Sequence, residues 1–400
     1  MKKKKLLFVI ESLVCAGAEK SLVTLLNLID YTKYEVDLQL FSFGGDFEHF
    51  LPKEVNILPA LAFFEYTSIP LKTVILSTKD KKQKSVLRSR LKYTFKLRTG
   101  KYTNPQKAVL FWQICGKHFE VMDKRYDVAI AYAQGQPTFY IADCIQADKK
   151  LAWVNSIYNL TGEHRQFVEK KYSYFNYIVC VSEAGCKAFT ESFLSLTNKV
   201  KIIYDINDFN FIKKMSQIQA ESQKVMADGK VQLLTIGRMS KQKGYDIALD
   251  ACRILKDKKI DFCWYIIGTG VLKEEIENGI RERNIETNIM LLGVKPNPYP
   301  FIAQADIYVQ TSRFEGFGLA ITEARMLNTP VVTTCFDAVY DQMVNGENGL
   351  VVDMNAKAVA DGILKLVEDK KLYNHIVDYQ SKEKKGNTEE IIKFYSLIEG

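Results

Sequence analysis

The chain has 400 residues, of which 47% are hydrophobic and 26% charged, enough apolar material for two domains of ordinary size. This composition, with only nine prolines, excludes long disordered tracts. The eight cysteines include no Cys-x-x-Cys pair, which argues against structural zinc and is typical of a reducing cytoplasm. No apolar run approaches the roughly 20 residues that cross a bilayer. We therefore expect a cytoplasmic protein, soluble or peripheral to a membrane.

Strand and helix patterns alternate along the first half of the chain. The apolar run Leu6–Ile10 predicts a buried parallel strand, and a helical pattern follows the glycine-containing turn Cys15–Ser21. Strand, turn and helix in this order begin a doubly wound α/β fold. Further strands are predicted at 34–41, 126–132, 150–154, 177–182 and 200–204, with a loop at 134–137.

Residues 79–107 form a basic segment with eleven Lys or Arg residues against the single acid Asp80. Its net charge of +10 exceeds the chain's +8, so the remainder is net −2. Leu87, Leu91 and Phe95 recur every four residues, which predicts an amphipathic helix. Such a helix favours docking on an anionic membrane surface. The alternatives are a solvated helix face or a nucleic-acid contact, and no motif supports nucleic acid as a partner.

The alternation of strand and helix patterns restarts after a polar segment at 205–228, where we place the domain boundary. Strands are predicted at 231–236, 262–267, 288–292, 306–310, 330–333 and 349–352, and helices at 245–256, 271–283 and 388–399. The fold class is therefore α/β, with Rossmann-like doubly wound domains at 1–207 and 208–385. A helix at about 386–400 would join the first domain.

The stretch from Thr311 to Arg325 follows a strand pattern and opens a helix. Gly316 and Gly318 allow a ligand close to the backbone, and the free N–H groups of a helix start suit an anion. Glu315 and Glu323, eight positions apart, could face one polyhydroxylated ligand. Carboxylates near a helix start are also ordinary surface decoration, so spacing alone leaves both readings open.

The segment from Glu315 to Glu323 resembles the Glu-x7-Glu signature of the retaining nucleotide-sugar glycosyltransferases of family 4, including bacterial surface-polysaccharide enzymes. The resemblance implies a GT-B fold, in which an N-terminal acceptor domain and a C-terminal donor domain face an interdomain cleft. It implies that Glu323 binds the donor ribose. It also implies that Glu315 contacts the donor sugar together with the amides of 316–319, namely Gly316, Phe317, Gly318 and Leu319.

Three other turns resemble donor-binding elements of that family. Gly17 lies in a Gly-Ala-Glu turn that would make room for the donor phosphates, although a glycine after a strand is by itself common. Val294 and Lys295 lie in the loop whose backbone would read the nucleobase. Arg238 and Lys243, in a Gly-Arg…Lys-Gly element, would hold the diphosphate, and together with Glu315 they would be the catalytic residues. A bidentate guanidinium and an ammonium can neutralise that group without a metal.

Two other classes of site are disfavoured. The sequence contains no Asp-x-Asp pair, so we expect no metal and no cofactor beyond the UDP- or GDP-linked donor substrate. Gly268-Thr-Gly270 is not followed by the third glycine of a dinucleotide fingerprint.

One position departs from the family pattern. Members commonly carry a histidine near the acceptor, where this chain has Asn155, which can hydrogen-bond a hydroxyl but cannot take a proton. We expect retaining, metal-independent hexosyl transfer to a saccharide acceptor, possibly lipid-linked, at the inner face of the plasma membrane. The alternatives are a catalytically silent GT-B partner or sugar-binding subunit, and a GT-B sugar-nucleotide epimerase.

Overall fold

The computed structural model describes residues 2–14, 16–68, 80–156, 160–218, 226 and 229–400. It divides the chain into two compact units, unit 1 with Met1–Tyr204 and Glu389–Gly400, and unit 2 with Asp205–Thr388. Cys15 of the predicted turn, Lys79 of the basic segment and nine residues of the polar segment at 205–228 lie outside the described residues. Within the described ranges, no helix is long and apolar enough to cross a membrane.

Unit 1 is built on a parallel sheet of seven strands in the order β3-β2-β1-β4-β5-β6-β7. The strands are β1 Lys4–Ile10, β2 Tyr34–Leu40, β3 Val55–Ile57, β4 Arg125–Ala131, β5 Gln146–Val154, β6 Tyr177–Cys180 and β7 Val200–Ile202. The central strand β1 is fully apolar from Leu6 onward because helices cover both faces of the sheet. The predicted strands are present, and β3 is an additional short edge strand.

Besides the C-terminal helix, the described helices of unit 1 are α1 Gly17–Leu28, α2 Ala62–Ser68, α3 Lys81–Thr99, α4 Asn104–Cys115, α5 Gln136–Cys144, α6 Gly162–Tyr172 and α7 Glu183–Ser192. The loop predicted at 134–137 is wrong in its second half. Gly135, with φ of 86°, makes the turn, and α5 already begins at Gln136. Pro137 is accommodated because the first helical turn needs no N–H from it.

The basic segment forms two helices rather than one. Helix α3 ends at Gly100, and α4 begins with a capping box formed by Thr103 and Gln106. Tyr93 on α3 lies edge-on to Phe111 of α4, with ring centroids 5.4 Å apart.

The opposite side of α3 carries the apolar residues that the fourfold repeat singled out. Leu91 is 44% exposed and Phe95 is 67% exposed, whereas Val86 on the inner side is 8% exposed. The predicted helix is therefore amphipathic in an unusual sense, because its outer face presents apolar side chains among basic ones.

Unit 2 contains a second parallel sheet, in the order β10-β9-β8-β11-β12-β13. Its strands are β8 Val231–Ile236, β9 Phe262–Ile267, β10 Ile289–Gly293, β11 Ile307–Gln310, β12 Val331–Thr334 and β13 Leu350–Val352. All six residues of β9 are buried, as expected for an inner strand covered on both faces.

The described helices of unit 2 are α8 Phe209–Ser216, α9 Tyr245–Asp257, α10 Lys273–Glu282, α11 Tyr299–Gln304, α12 Leu319–Met326, α13 Ala356–Glu368 and α14 Lys370–Lys382. The polar segment at 205–228 is therefore not simply a linker. Asp208 caps α8 by accepting from the amides of Asn210 and Phe211, and Ile212 is 2% exposed.

The last helix, α15 Glu390–Glu399, belongs to unit 1. Phe394 is fully buried there, with its ring centroid 6.0 Å from Phe8 and 6.2 Å from Trp153. Its apolar side therefore completes the unit 1 core over β1 and β5.

Candidate active site

The candidate site of unit 2 lies where the strand order reverses. Strand β8 lies between β9 and β11, and the chain runs from β8 outward to β9 but from β11 outward to β12. The loops at 237–244 and 311–318, which follow β8 and β11, therefore lie at the carboxyl edge of the sheet, one on each side of the reversal. Such a reversal is where open α/β sheets bind ligands.

The two loops are fastened to each other through the backbone. The amide of Arg313 donates to the Gln242 carbonyl at 2.7 Å, and the Thr311 hydroxyl donates to the Lys243 carbonyl at 2.9 Å. Gly244 adopts φ of 62°, and a Cβ there would lie 2.1 Å from the Thr311 carbonyl oxygen. A glycine is required at this contact because both its conformation and its close approach exclude a side chain.

Glu315 is held by four side chains at this junction. Its Oε1 accepts from Lys243 Nζ at 2.6 Å, Gln310 Nε2 at 2.7 Å and Ser312 Oγ at 2.5 Å. Its Oε2 accepts only a longer bond, 3.3 Å, from Gln242 Nε2. Oε1 is therefore saturated, and Oε2 keeps capacity to accept from a sugar hydroxyl.

Lys243 and Glu315 form an ion pair that is mostly removed from water, with side chains 19% and 8% exposed. The structure thus brings together two of the three residues predicted to be catalytic. Gln242, Gln310 and Ser312, which complete the arrangement, were not predicted. The signal available in the sequence was that two polar residues, Gln310 and Ser312, stand at the end of the strand pattern.

Arg238, the third predicted residue, is exposed and forms no hydrogen bond or ion pair with a residue that the structure describes. Its backbone is nevertheless fixed. The amide of Gly237 donates to Ile267 O and that of Met239 donates to Thr269 O, both at 2.9 Å. Among the described residues the guanidinium therefore has no partner, and it is attached to a fixed loop that also carries Lys243.

Gly268 and Gly270, which fail as a dinucleotide fingerprint, have a packing role. A Cβ on Gly268 would lie 2.1 Å from Gly237 O, and one on Gly270 would lie 2.4 Å from Met239 O. These glycines let the loop after β9 lie directly against the loop that carries Arg238. Their spacing reports a backbone contact rather than a cofactor.

Helix α12 starts at the same edge. Gly318 precedes it with φ of 89° and ψ of 50°, and among the described residues no side chain caps its first turn. The Ile321 amide donates to Gly318 O at 2.9 Å, so the amides of Leu319 and Ala320 are the donors of this turn that could meet an anion. Glu323 is only 2% exposed, and Phe317 is 9% exposed, whereas Gly316 and Leu319 are half-buried.

The predicted base-reading residues lie two strands away, after β10. Val294 is 37% exposed, and the Lys295 ammonium lies 6.0 Å from the centroid of the Phe301 ring. The loop is attached to its neighbour because the Gly268 amide donates to Gly293 O at 2.8 Å. Both residues therefore lie along the same carboxyl edge as Arg238. Among the described residues, no cluster of three His, Cys, Asp or Glu side chains could hold a metal ion.

Unit 1 has its own reversal, between β1 and β4, and both residues predicted there lie near it. Gly17 begins α1, whose first turn has no side-chain cap from the described residues. Asn155 Nδ2 donates to the Tyr132 carbonyl at 2.8 Å, and the Tyr132 hydroxyl shares a 2.9 Å hydrogen bond with Ser21. Asn155 Oδ1 is buried without a hydrogen-bond partner among the described residues, so this oxygen is a fixed, unused acceptor.

Comparison with known proteins finds a family match in the second half of the chain. Residues 217–383 match the model of the family described as glycosyl transferases group 1. The matched residues include Arg238, Lys243, Glu315 and the start of α12.

Two relatives match about half of the chain. The N-acetylgalactosamine-N,N'-diacetylbacillosaminyl-diphospho-undecaprenol 4-alpha-N-acetylgalactosaminyltransferase of Campylobacter jejuni is 29% identical over 196 residues, 48% of this chain and 50% of that protein. The capsular polysaccharide biosynthesis glycosyltransferase CapM of Staphylococcus aureus is 28% identical over 206 residues, 49% of this chain and 53% of that protein. The chain thus spans about half the length of these relatives.

A solved structure aligns with nearly the whole chain. Anabaena HepE, crystallised with UDP-glucose, gives a TM-score of 0.72 over 98% of this chain and 99% of that protein, at 18% identity. With two parallel-sheet Rossmann-like units, the fold is GT-B, which confirms the predicted fold class.

Proposed function

We propose that the chain is a retaining glycosyltransferase of family 4 that moves a sugar from a UDP- or GDP-sugar to an acceptor hydroxyl. The observation that carries the proposal is the Lys243–Glu315 pair at 2.6 Å, at the β8/β11 reversal. A nucleotide-sugar requires a cation near its diphosphate and a carboxylate near its sugar hydroxyls. The Lys243–Glu315 pair offers both groups at one place. The match of residues 217–383 to glycosyl transferases group 1 and the named transferases support the transfer of a sugar.

On the donor side, charge stabilises the leaving group. Arg238, Lys243 and the first amides of α12 would neutralise the nucleoside diphosphate as the bond to the sugar breaks. Glu315 Oε2 would accept from a sugar hydroxyl, Glu323 would bind the ribose, and the loop with Val294 and Lys295 would read the base. Because these protein groups supply the positive charge, we propose that transfer needs no metal and no cofactor.

On the acceptor side, Asn155 Oδ1 would accept from the attacking hydroxyl, and Gly17 would leave room for the donor phosphates. An amide cannot take the proton of that hydroxyl. We therefore propose that an oxygen of the leaving phosphate receives it, on the same face of the sugar, which retains the anomeric configuration.

The acceptor we propose is a lipid-linked saccharide in surface-polysaccharide synthesis, such as capsule or exopolysaccharide. The name of the Campylobacter relative describes a diphospho-undecaprenol-linked acceptor, and that of CapM describes capsule biosynthesis. Such an acceptor would bring the enzyme to the cytoplasmic face of the plasma membrane.

Substitution of Arg238 tests the donor assignment. Because Arg238 is exposed and its side chain is unpaired among the described residues, Arg238→Met is expected to leave the melting temperature unchanged and to lower sugar transfer or donor hydrolysis at least tenfold. The rate is measured on a panel of UDP-, GDP- and ADP-sugars with EDTA present. Lys241→Met, an exposed cation in the same loop, should behave as wild type.

Three outcomes would contradict the proposal. Activity lost with EDTA would remove the metal-independent mechanism. Donor binding without release in the presence of acceptor lipids would favour the silent subunit. An isomerised donor rather than a transferred sugar would establish the epimerase.

The outer face of α3 carries the proposal of membrane docking. Lys84, Arg88, Leu91, Phe95 and Arg98 fall on one solvent-facing line of the helix at spacings of three and four. Exposed apolar groups between cations match an anionic lipid surface, where the ring can enter the headgroup region while the charges meet phosphates.

We expect Phe95→Ser to weaken binding to phosphatidylglycerol vesicles at low salt about 30-fold, since burying an aromatic ring contributes about 2 kcal/mol. Co-flotation with the vesicles measures the bound fraction. Leu194→Ser is the matched control, because Leu194 is 73% exposed elsewhere in unit 1. Equal loss in both variants, or no binding by wild type at low salt, would refute docking through α3.

A further inference from the structure

Gln342 lies after β12 and reaches the turn that begins α12. Its Nε2 donates to the carbonyl oxygens of Phe317, at 2.5 Å, and Gly318, at 3.4 Å. Its Oε1 accepts from the Thr322 hydroxyl at 2.6 Å. One side chain therefore bridges the loop before the helix and the first helical turn.

These contacts determine where two amides point. A peptide unit is planar, so a fixed carbonyl also fixes the N–H of the next residue on the opposite side. Holding the carbonyl of Phe317 orients the N–H of Gly318. The carbonyl of Gly318 also accepts from the Ile321 amide at 2.9 Å, so Gln342 and the first helical turn together orient the N–H of Leu319. Gly318 is in the left-handed region, at φ of 89°, where a turn without such a partner would have other conformations open to it.

The backbone of Gln342 is held in turn by the buried side chain of Asn348. Its carbonyl accepts from Asn348 Nδ2 at 3.2 Å, and Asn348, fully buried, also donates to Glu383 Oε1 at 2.9 Å. Glu383 pairs with Arg325, in the last turn of α12, at 2.5 Å. The same buried asparagine thus supports both ends of the helix.

We propose that Gln342 is a positioning residue for donor binding, which holds the N–H groups of Gly318 and Leu319 in the direction of the nucleotide-sugar. The inference rests on the proposed function, since it assigns those amides to the donor. Neither Gln342 nor Asn348 belongs to the motifs that identified the site.

Two substitutions distinguish hydrogen-bond donation by Gln342 from the packing of its side chain. Gln342→Met keeps the length of the side chain and removes its hydrogen bonds. Gln342→Glu keeps the acceptor for Thr322 but offers no N–H to the two carbonyls. The control is Gln380→Met, because buried Gln380 donates to the carbonyls of Asn348 and Thr329 rather than to the start of α12.

Amide hydrogen exchange at 318–323 is measured first, in the ligand-free protein. Affinity for UDP-glucose, UDP-N-acetylglucosamine and GDP-mannose is then measured by calorimetry. Both Gln342 variants are expected to exchange about tenfold faster at 318–323 and to bind the preferred donor about tenfold more weakly. Gln380→Met is expected to lower the melting temperature without either change.

Unchanged exchange in the two Gln342 variants, or the same local increase in Gln380→Met, would overturn the positioning role. If wild type binds none of the donors while exchange rises only in the Gln342 variants, the proposed function fails. The role of Gln342 in fixing the turn is then still supported.

Discussion

Lys243→Met is expected to lower kcat/KM for sugar transfer at least a hundredfold and also to destabilise unit 2. The catalytic loss follows because the ammonium faces the proposed diphosphate, and a charge-assisted contact made in the transition state contributes about 3 kcal/mol. The loss of stability follows because Glu315, with a side chain 8% exposed, would keep its charge without its cation. Breaking such a pair costs about 3–5 kcal/mol.

The double variant Lys243→Met with Glu315→Gln separates the two effects. Removing both charges of a buried pair is far less costly than removing one, so the free energy of unfolding in urea should recover most of its loss. Transfer should not recover, because both donor contacts are absent. Recovery of kcat/KM in the double variant would show that the pair is only structural. Lys241→Met again serves as the control in the same loop.

Apart from the short edge strand β3, the strands of both units could be predicted, because most of them are short apolar runs between turn residues. Phe262–Ile267, for example, is fully buried, and no competing pattern is available to it. Helix α8 could not be predicted in the same way. Its eight residues are too few to establish a helical period, and it depends on the cap from Asp208 and on packing within unit 2.

The sequence located the candidate site but not its hydrogen-bonding partners. The residues Lys243 and Glu315 come from separate motifs, and their contact depends on β8 and β11 being neighbours, which strand order decides. Gln342 is harder still, because a polar residue in a loop carries no periodicity. Its role follows only from the position of the loop after β12 beside the start of α12.

A second large effect, on stability and on donor binding, is expected from a substitution at Gly244, which has a positive φ. Gly244→Ala is expected to lower the free energy of unfolding of unit 2 by about 3 kcal/mol and donor affinity at least tenfold. The left-handed conformation costs an alanine about 1 kcal/mol. The remainder arises because its Cβ would lie 2.1 Å from the Thr311 carbonyl, so the loops carrying Lys243 and Glu315 must separate.

Gly346→Ala distinguishes the collision from the backbone conformation. Gly346 also has a positive φ, 87°, but nothing lies within 4 Å of the Cβ position there. It should therefore lose only about 1 kcal/mol in urea unfolding and keep donor affinity. If both variants lose the same stability and neither loses affinity, the close approach of Gly244 to Thr311 does not hold the site together. A loss of affinity in Gly244→Ala alone would instead tie donor binding to the contact between the two loops.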